Sequence, residues 1–387
     1  MHPRKQQKIM ETIKRILQQE IEQRIRPSKV ALIFGARRVG KTVLLREIMN
    51  QYSGRTLLLN GESLDTIRML EERTITNYRQ LFNCIDLLAI DEAQHIPEIG
   101  QKLKLIVDEV PNIAVIATGS SSFDLQNQAG EPLVGRSTQF LLTPLSIKEL
   151  TSTLSGFEVK TNIDNYLVYG LYPELMSLSS IKERQEYIEE MVNAYFLRDI
   201  LAVDGVKNAS KLYHLLKLVA YQIGSEVSLD EIGKELSVSR NSVARYLDLL
   251  QKNFVIFSLG GYSSNLRKEI TKSSKWYFYD NGIRNALLND FKPFNERSDQ
   301  ERGALWENFI ITERLKRIKN NRLRTNQYFW RTYDKQEIDL IEEDNQLIRA
   351  FEMKSGTKIA KAPLAFAKNY PEATFETINR NNFLNFI

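Results

Sequence analysis

The apolar residues of this chain follow two rhythms. In the first third, short apolar runs recur at Val30-Ala31-Leu32-Ile33-Phe34, Leu57-Leu58-Leu59, Leu87-Leu88-Ala89-Ile90 and Ile113-Ala114-Val115-Ile116-Ala117. Runs of this length without polar alternation suit strands buried on both faces, as in a parallel sheet. Between and around them apolar residues return every three or four positions, the spacing of a helix with one buried face. Ile9, Ile13, Ile16, Leu17 and Ile21 predict a basic amphipathic helix over roughly 5–25, and Val43 to Ile48 predict another directly after the first strand. The class is α/β.

After about residue 156 the rhythm becomes helical. Tyr166, Leu167, Tyr169 and Leu171, then Tyr187, Ile188, Met191, Tyr195, Phe196 and Leu197, predict helices with a turn at Gly170-Leu171-Tyr172-Pro173-Glu174. Residues 156–204 read as a helical lid on the preceding core. From 205 to 290 the pattern is that of a winged helix-turn-helix. Leu212, Leu215, Leu216 and Val219 mark its first helix, and Ser228 with Glu231 fits a capping box opening the second. A turn over 237–239 leads to a helix whose Val243, Leu247 and Leu250 face inward, and Phe254 to Leu259 would be a wing strand. That last helix would present Arg240, Asn241, Ser242 and Arg245 outward, near the end that enters a major groove. The same scaffold serves packing or protein contact, so spacing supports the fold better than the ligand.

Candidate chemistry centres on the end of the first strand. Gly35-Ala36-Arg37-Arg38-Val39-Gly40-Lys41-Thr42, followed by Val43, matches GxxxxGK[ST] in a strand–loop–helix setting. The glycines let successive N–H groups converge on an anion at a helix N-terminus. Lys41 would reach β and γ phosphates, and the Thr42 hydroxyl would join a Mg²⁺ shell. A second apolar strand ends in Asp91-Glu92, where Asp91 would reach the Mg²⁺ and Glu92 would polarise an attacking water. A third ends near Thr118 and Ser120, either of which would lie within reach of the γ-phosphate. Gly135-Arg136 offers an arginine finger, in cis or from a neighbouring copy, the latter requiring a homo-oligomer.

Composition narrows the setting. The chain has 387 residues, 42% hydrophobic and 26% charged, enough for several domains each with its own core. It has one cysteine and three scattered histidines, so neither a disulfide framework nor a Cys/His zinc site is expected. The basic, polar start lacks a secretory signal and no apolar run has membrane-spanning length, which predicts a cytoplasmic protein without a membrane partner. Residues 205–275 carry 11 Lys and Arg against 6 Asp and Glu. Arg314, Lys316, Arg317, Lys319, Arg322 and Arg324 follow with no acid among them. Two basic regions beside a phosphate-binding motif point to an anionic polymer, with DNA the expected partner.

GARRVGKT, LLAIDEAQ, ATGSSS, Gly135-Arg136 and TPLSIKEL, in that order, resemble an AAA-family group of bacterial and archaeal ATP-binding proteins that continue into a C-terminal domain of unknown function. The resemblance covers essentially the whole chain. It implies ATP as the nucleotide and an AAA-type αβα core over 1–155, with an extra strand between the P-loop strand and the acidic one. Over 291–387, Asp339 in one short strand and Glu352-Met353-Lys354 in the next resemble the restriction-endonuclease-like PD-(D/E)xK superfamily. That resemblance implies a divalent metal held by Asp339 and Glu352, Glu307 completing the shell, and Lys354 acting on the nucleophile. Two functions follow as expectations. One is an ATPase coupling nucleotide state to DNA engagement and metal-dependent cleavage. The other is an ATP-dependent switch whose C-terminal domains bind a protein partner and cut nothing.

Overall fold

The computed structural model describes residues 13–120, 132–196, 208–263 and 274–387. The beginning of the expected first helix, Ser121, Ser122 and Leu197 lie outside the described residues. Strands β1 (Val30–Phe34), β2 (Thr56–Asn60), β3 (Leu87–Asp91), β4 (Ala114–Gly119) and β5 (Ser137–Leu141) form one sheet in the order β2-β3-β4-β1-β5. Every pairing is parallel. β4 therefore separates the P-loop strand from the acidic strand, the arrangement the AAA resemblance implies. Register aligns Phe34 with Gly119 and Asn60 with Asp91, so the carboxyl ends of the strands meet at one edge.

β1, β3 and β4 are buried along their whole length, which is why they read as unbroken apolar runs. One face of the sheet packs Leu70, Tyr78, Phe82, Ile99, Leu103 and Ile106. The other face joins a continuous core running through the middle of the chain to Ile387. Helices Gly156–Tyr169 and Ile181–Glu190 occupy the stretch read as a lid, each opened by a capping box.

Helices Ala209–Tyr221, Leu229–Glu235 and Arg240–Lys252 follow, the last with Val243, Leu247 and Leu250 buried. Ser228 Oγ accepts from Glu231 N at 3.3 Å. Beyond them β6 (Ile256–Gly261) is not a free-standing wing. It pairs antiparallel with β7 (Lys275–Phe278) on one side and parallel with β8 (Asn326–Arg331) on the other. With β9 (Glu337–Asp344), β10 (Leu347–Met353) and β11 (Thr374–Ile378) these complete a six-stranded sheet, β11-β10-β9-β8-β6-β7. The boundary expected at 290 thus falls inside one sheet, because β8 pairs with the edge that β6 offers.

Helix Asp299–Asn320 ties this sheet to the core. Glu313 Oε2 accepts from Ile147 N at 2.7 Å, and Lys316 Nζ donates to Leu145 O at 2.8 Å and to Glu313 Oε1 at 2.7 Å. Two of the six residues of the expected basic cluster are thereby internal. Lys316 is buried in this pairing. Arg314 grips both oxygens of buried Glu342 at 2.7 and 2.8 Å, and Arg317 donates to Phe386 O. Their acids come from Glu313 and from a distant strand, so local charge counting overstated the exposed basic surface.

Candidate nucleotide site and a second charged cluster

The loop from Gly35 to Gly40 joins β1 to helix Lys41–Gln51. A Cβ at Gly35 would lie 2.1 Å from the Leu142 carbonyl oxygen, so no other residue fits there without moving the next strand. Gly40 takes φ 97° as the N-cap of the helix, a left-handed conformation that favours glycine. Ala36 and Val39 are buried under the loop, Arg37 is half-buried, and Val43 is exposed on the helix. Lys41 is buried, with Nζ donating to the carbonyls of Gly35 and Ala36 at 3.0 Å each. Its ammonium is therefore held within the loop where phosphates would be received.

The acidic strand meets this loop. Thr42 Oγ1 donates to Asp91 Oδ2 at 2.7 Å, and Thr118 Oγ1 donates to Asp91 Oδ1 at 2.5 Å. Thr118 also accepts from Glu92 N at 3.1 Å. Glu92 has φ 49°, which turns its side chain out of the strand line. Of the two candidates at the end of β4, Thr118 touches Asp91 directly, and Ser120 reaches the cluster through Gln94. Gln94, absent from the sequence expectations, donates from Nε2 to Glu92 Oε2 at 2.6 Å and to Ser120 Oγ at 3.2 Å. Its Oε1 is buried, with no hydrogen-bond partner among the described residues. Its place two residues beyond Glu92 was the available signal. The hydroxyl of Thr42 and the carboxylate of Asp91 are hard oxygen donors side by side, a set that fits Mg²⁺.

Three further features border the loop. Arg38 pairs with Glu174 at 3.7 Å, and its guanidinium lies 5.3 Å from the Tyr187 ring centroid, both in the lid. Arg15 donates to the carbonyl of Val39 at 2.7 Å. Beside Gly40 a cavity of about 270 Å³ is lined mainly by apolar side chains, among them Ile13, Val39, Val43, Leu145 and Pro173.

Arg136 is placed elsewhere. Its carbonyl accepts from Val30 N at 2.9 Å, and its guanidinium pairs with Asp108 at 2.7 Å. Val30 opens β1 whereas the phosphate loop follows its last residue, so Arg136 lies a strand length, about 16 Å, from the loop. The expected finger in cis is corrected by this placement. β5 runs parallel to β1, and the arginine precedes it.

In the second sheet, Glu307, Asp339, Glu352 and Lys354 converge. Lys354 Nζ donates to Glu352 Oε1 at 2.6 Å, and Asp339 Oδ2 accepts from Met353 N at 2.7 Å. Burial, then the charges of Glu307 and Glu352, holds the Asp339 carboxyl well above the usual range. Burial likewise raises Glu307 against the opposing pull of Lys275 and the Tyr277 hydroxyl, which donates to it at 2.8 Å. The expected set leaves out Lys275. This buried ammonium lies 3.5 Å from Glu307 Oε1 and also pairs with Glu337. Burial favours its neutral form, but Glu307, Asp339 and Glu337 outweigh that and raise its pKa. Among the described residues no group of three or more His, Cys, Asp or Glu is arranged to hold a metal ion. Lys275 thus places an ammonium against Glu307, one of the three carboxylates expected to hold a metal.

Arg240 opens helix Arg240–Lys252 and pairs with Asp230 at 3.1 Å, both exposed. Asn241 and Arg245 are exposed on that helix, and Ser242 N donates to its N-cap Ser239 at 3.1 Å.

These features agree with what the chain is similar to. Residues 27–151 match a family model described as an AAA domain. Residues 160–293 and 302–380 match two domains of unknown function, DUF8612 and DUF4143. Residues 27–151 thus form a domain similar to AAA domains. Among its relatives are an uncharacterized protein of Mycobacterium tuberculosis, 26% identical over 84% of this chain and 70% of its own length. Another is an uncharacterized protein of Methanocaldococcus jannaschii, 23% identical over 94% of this chain and 84% of its own length. The Walker-type ATPase of Pyrococcus abyssi shares the fold, with TM-score 0.52 and 16% identity over 70% of this chain and 94% of that one. Among the described residues no helix is long and apolar enough to cross a membrane.

Proposed function

We propose that this chain hydrolyses ATP with Mg²⁺ at the phosphate loop and uses nucleotide state to govern DNA engagement by its C-terminal half. The observation that carries the reading is the hydrogen-bonded series Thr42–Asp91–Thr118 at the meeting edge of β1, β3 and β4, with Lys41 and Glu92 beside it. Loop N–H groups and Lys41 bind the phosphates, and Lys41 exchanges its carbonyl partners for them. Bound Mg²⁺ would supply charge neutralisation on the phosphate oxygens, with Thr42 and Asp91 holding it. Thr118 fixes the Asp91 carboxylate, and Glu92 orients the attacking water once Gln94 releases it. The apolar cavity beside Gly40 accommodates the base. The Arg38 contacts to Glu174 and Tyr187 link the loop to the lid. Arg136 would serve only a neighbouring copy's site. Arg240, Asn241, Ser242 and Arg245 are the DNA-facing residues in this reading. Lys41→Ala tests its core: phosphate release should fall to background, and hydrolysis at the normal rate would remove the loop from the chemistry.

Lys275 favours a second reading for the last domain, that it binds a partner and cleaves nothing. Its ammonium, paired with Glu307 and Glu337, already supplies a protein cation at the edge of the cluster.

A further inference from the structure

Where the ATPase sheet, the helix Arg240–Lys252 and the end of helix Asp299–Asn320 come together, they enclose a groove of about 1180 Å³. Its floor includes Phe34 and Leu141, and its walls carry Arg24, Lys252, Lys319, Arg322 and Arg324 against the single acid Asp248. Two of these cations are matched, Arg24 with Glu20 at 2.7 Å and Lys252 with Asp248 at 2.8 Å. Among the described residues no carboxylate lies within ion-pair distance of Lys319, Arg322 or Arg324, and all three are exposed. With Arg317, which donates to Phe386 O, they are what remains of the basic cluster once Arg314 and Lys316 are taken inside.

Arg322 is held in place. It donates to Gln139 O at 2.9 Å, and its guanidinium lies 5.0 Å from the Phe140 ring centroid. A guanidinium pinned on an aromatic ring offers its other face as a planar, positively charged platform. Bases of single strands stack on such a plane, while flanking cations neutralise the phosphates.

We propose that this groove binds a single-stranded nucleic acid, with Lys319 and Arg324 on phosphates and Arg322 stacking a base. The groove is recessed between three elements, which suits a flexible strand with splayed bases. It is distinct from the DNA-facing residues proposed above. Arg240 and Lys252 stand at opposite ends of their helix, about 18 Å apart along its axis. The groove also adjoins the nucleotide site, since Phe34 directly precedes Gly35 and Leu141 precedes the carbonyl that packs on it. Single strands here would be sensed at the P-loop.

The test is anisotropy of labelled oligo(dT), oligo(rU) and a DNA duplex, each of about 20 nucleotides, at about 50 to 200 mM salt. The full chain is compared with Lys319→Glu/Arg324→Glu and with Arg240→Glu/Arg245→Glu. Single strands should bind the wild type, and the groove double variant should weaken them at least about tenfold with a shallower salt dependence. The two oligomers separate DNA from RNA. Unchanged ATP-analogue affinity shows that the variant is folded, and Arg324→Ala alone should give a smaller loss in the same direction. Single-strand binding equal to wild type in the groove variant, or no binding by the wild type, overturns the proposal. Loss confined to the Arg240/Arg245 variant also overturns it, while leaving the DNA reading of the helix face intact.

Discussion

Arg15 Nη1 donates to the Val39 carbonyl at 2.7 Å, so a side chain 24 positions upstream holds the crest of the phosphate loop. The same guanidinium donates to Thr143 O at 2.6 Å and pairs with buried Glu149 at 2.9 Å. Arg15→Ala would leave the buried Glu149 carboxylate without its cation, held only by Ile16 N and Ser146, a loss of up to about 3–5 kcal/mol. We expect a lower melting temperature together with weaker binding of a fluorescent ATP analogue. Adding Glu149→Gln should restore melting more than nucleotide binding, because only the first loss comes from the stranded charge. Equal recovery of both would place the effect in stability alone.

Glu92 and Thr118 should separate chemistry from metal positioning. Glu92→Gln keeps the size and the Gln94 contact region but removes the base, so turnover should fall by about 10²- to 10⁴-fold with ATP affinity retained. Thr118→Ala removes the donor to Asp91 Oδ1 and should raise the Mg²⁺ concentration needed for half-maximal phosphate release. Normal turnover in Glu92→Gln would assign water activation to another group.

Asp280 provides a pH signature. It is buried, and accepts from Leu171 N at 2.7 Å and Gly282 N at 2.8 Å. Burial raises its pKa from 3.8 to about 6, against the lowering effects of Lys316 and backbone N–H groups. The native state thus keeps this proton to higher pH than the unfolded chain. Its contribution is present below about pH 4 and is lost as pH rises through about 6, by about 3 kcal/mol. The melting temperature of Asp280→Asn relative to wild type should therefore move in the variant's favour between pH 4 and pH 7. Parallel curves would show that Asp280 ionises normally.

The Lys275 arrangement predicts no metal-dependent cleavage by the last domain. Plasmid and single-stranded DNA should survive Mg²⁺ or Mn²⁺, with or without ATP, equally in wild type and Glu352→Ala. Nicking by the wild type that Glu352→Ala abolishes would mean that a metal displaces the lysine and that the nuclease expectation stands.

The elements around the phosphate loop were legible because their determinants are local. An unbroken apolar run, two glycines, Lys41 and Thr42 specify strand, turn and helix start within thirteen residues, and the Asp91-Glu92 pair ends an equally clear strand. Helices between 156 and 252 were legible for the same reason, through periodicity and, for Leu229–Glu235, through the Ser228 cap. What depended on distant partners was not legible. Phe254 to Leu259 reads as a wing, yet the chain places β6 beside β8, a residue stretch some seventy positions later. Arg314 and Lys316 read as surface charge, yet Glu342 and Glu313 bury them. Arg136 sits at a motif-like spacing but at the wrong end of its strand. Lys275 lies in no motif and is brought to Glu307 by the packing of helix Asp299–Asn320 against β7. Sequence by itself determined which segments become strands and helices and where the phosphate loop forms, because backbone sterics and side-chain periodicity act over a few residues. Tertiary structure alone decided which charges cancel and which groove stays positive, because Coulomb interactions and burial depend on distance in space, which the order of residues along the chain does not record.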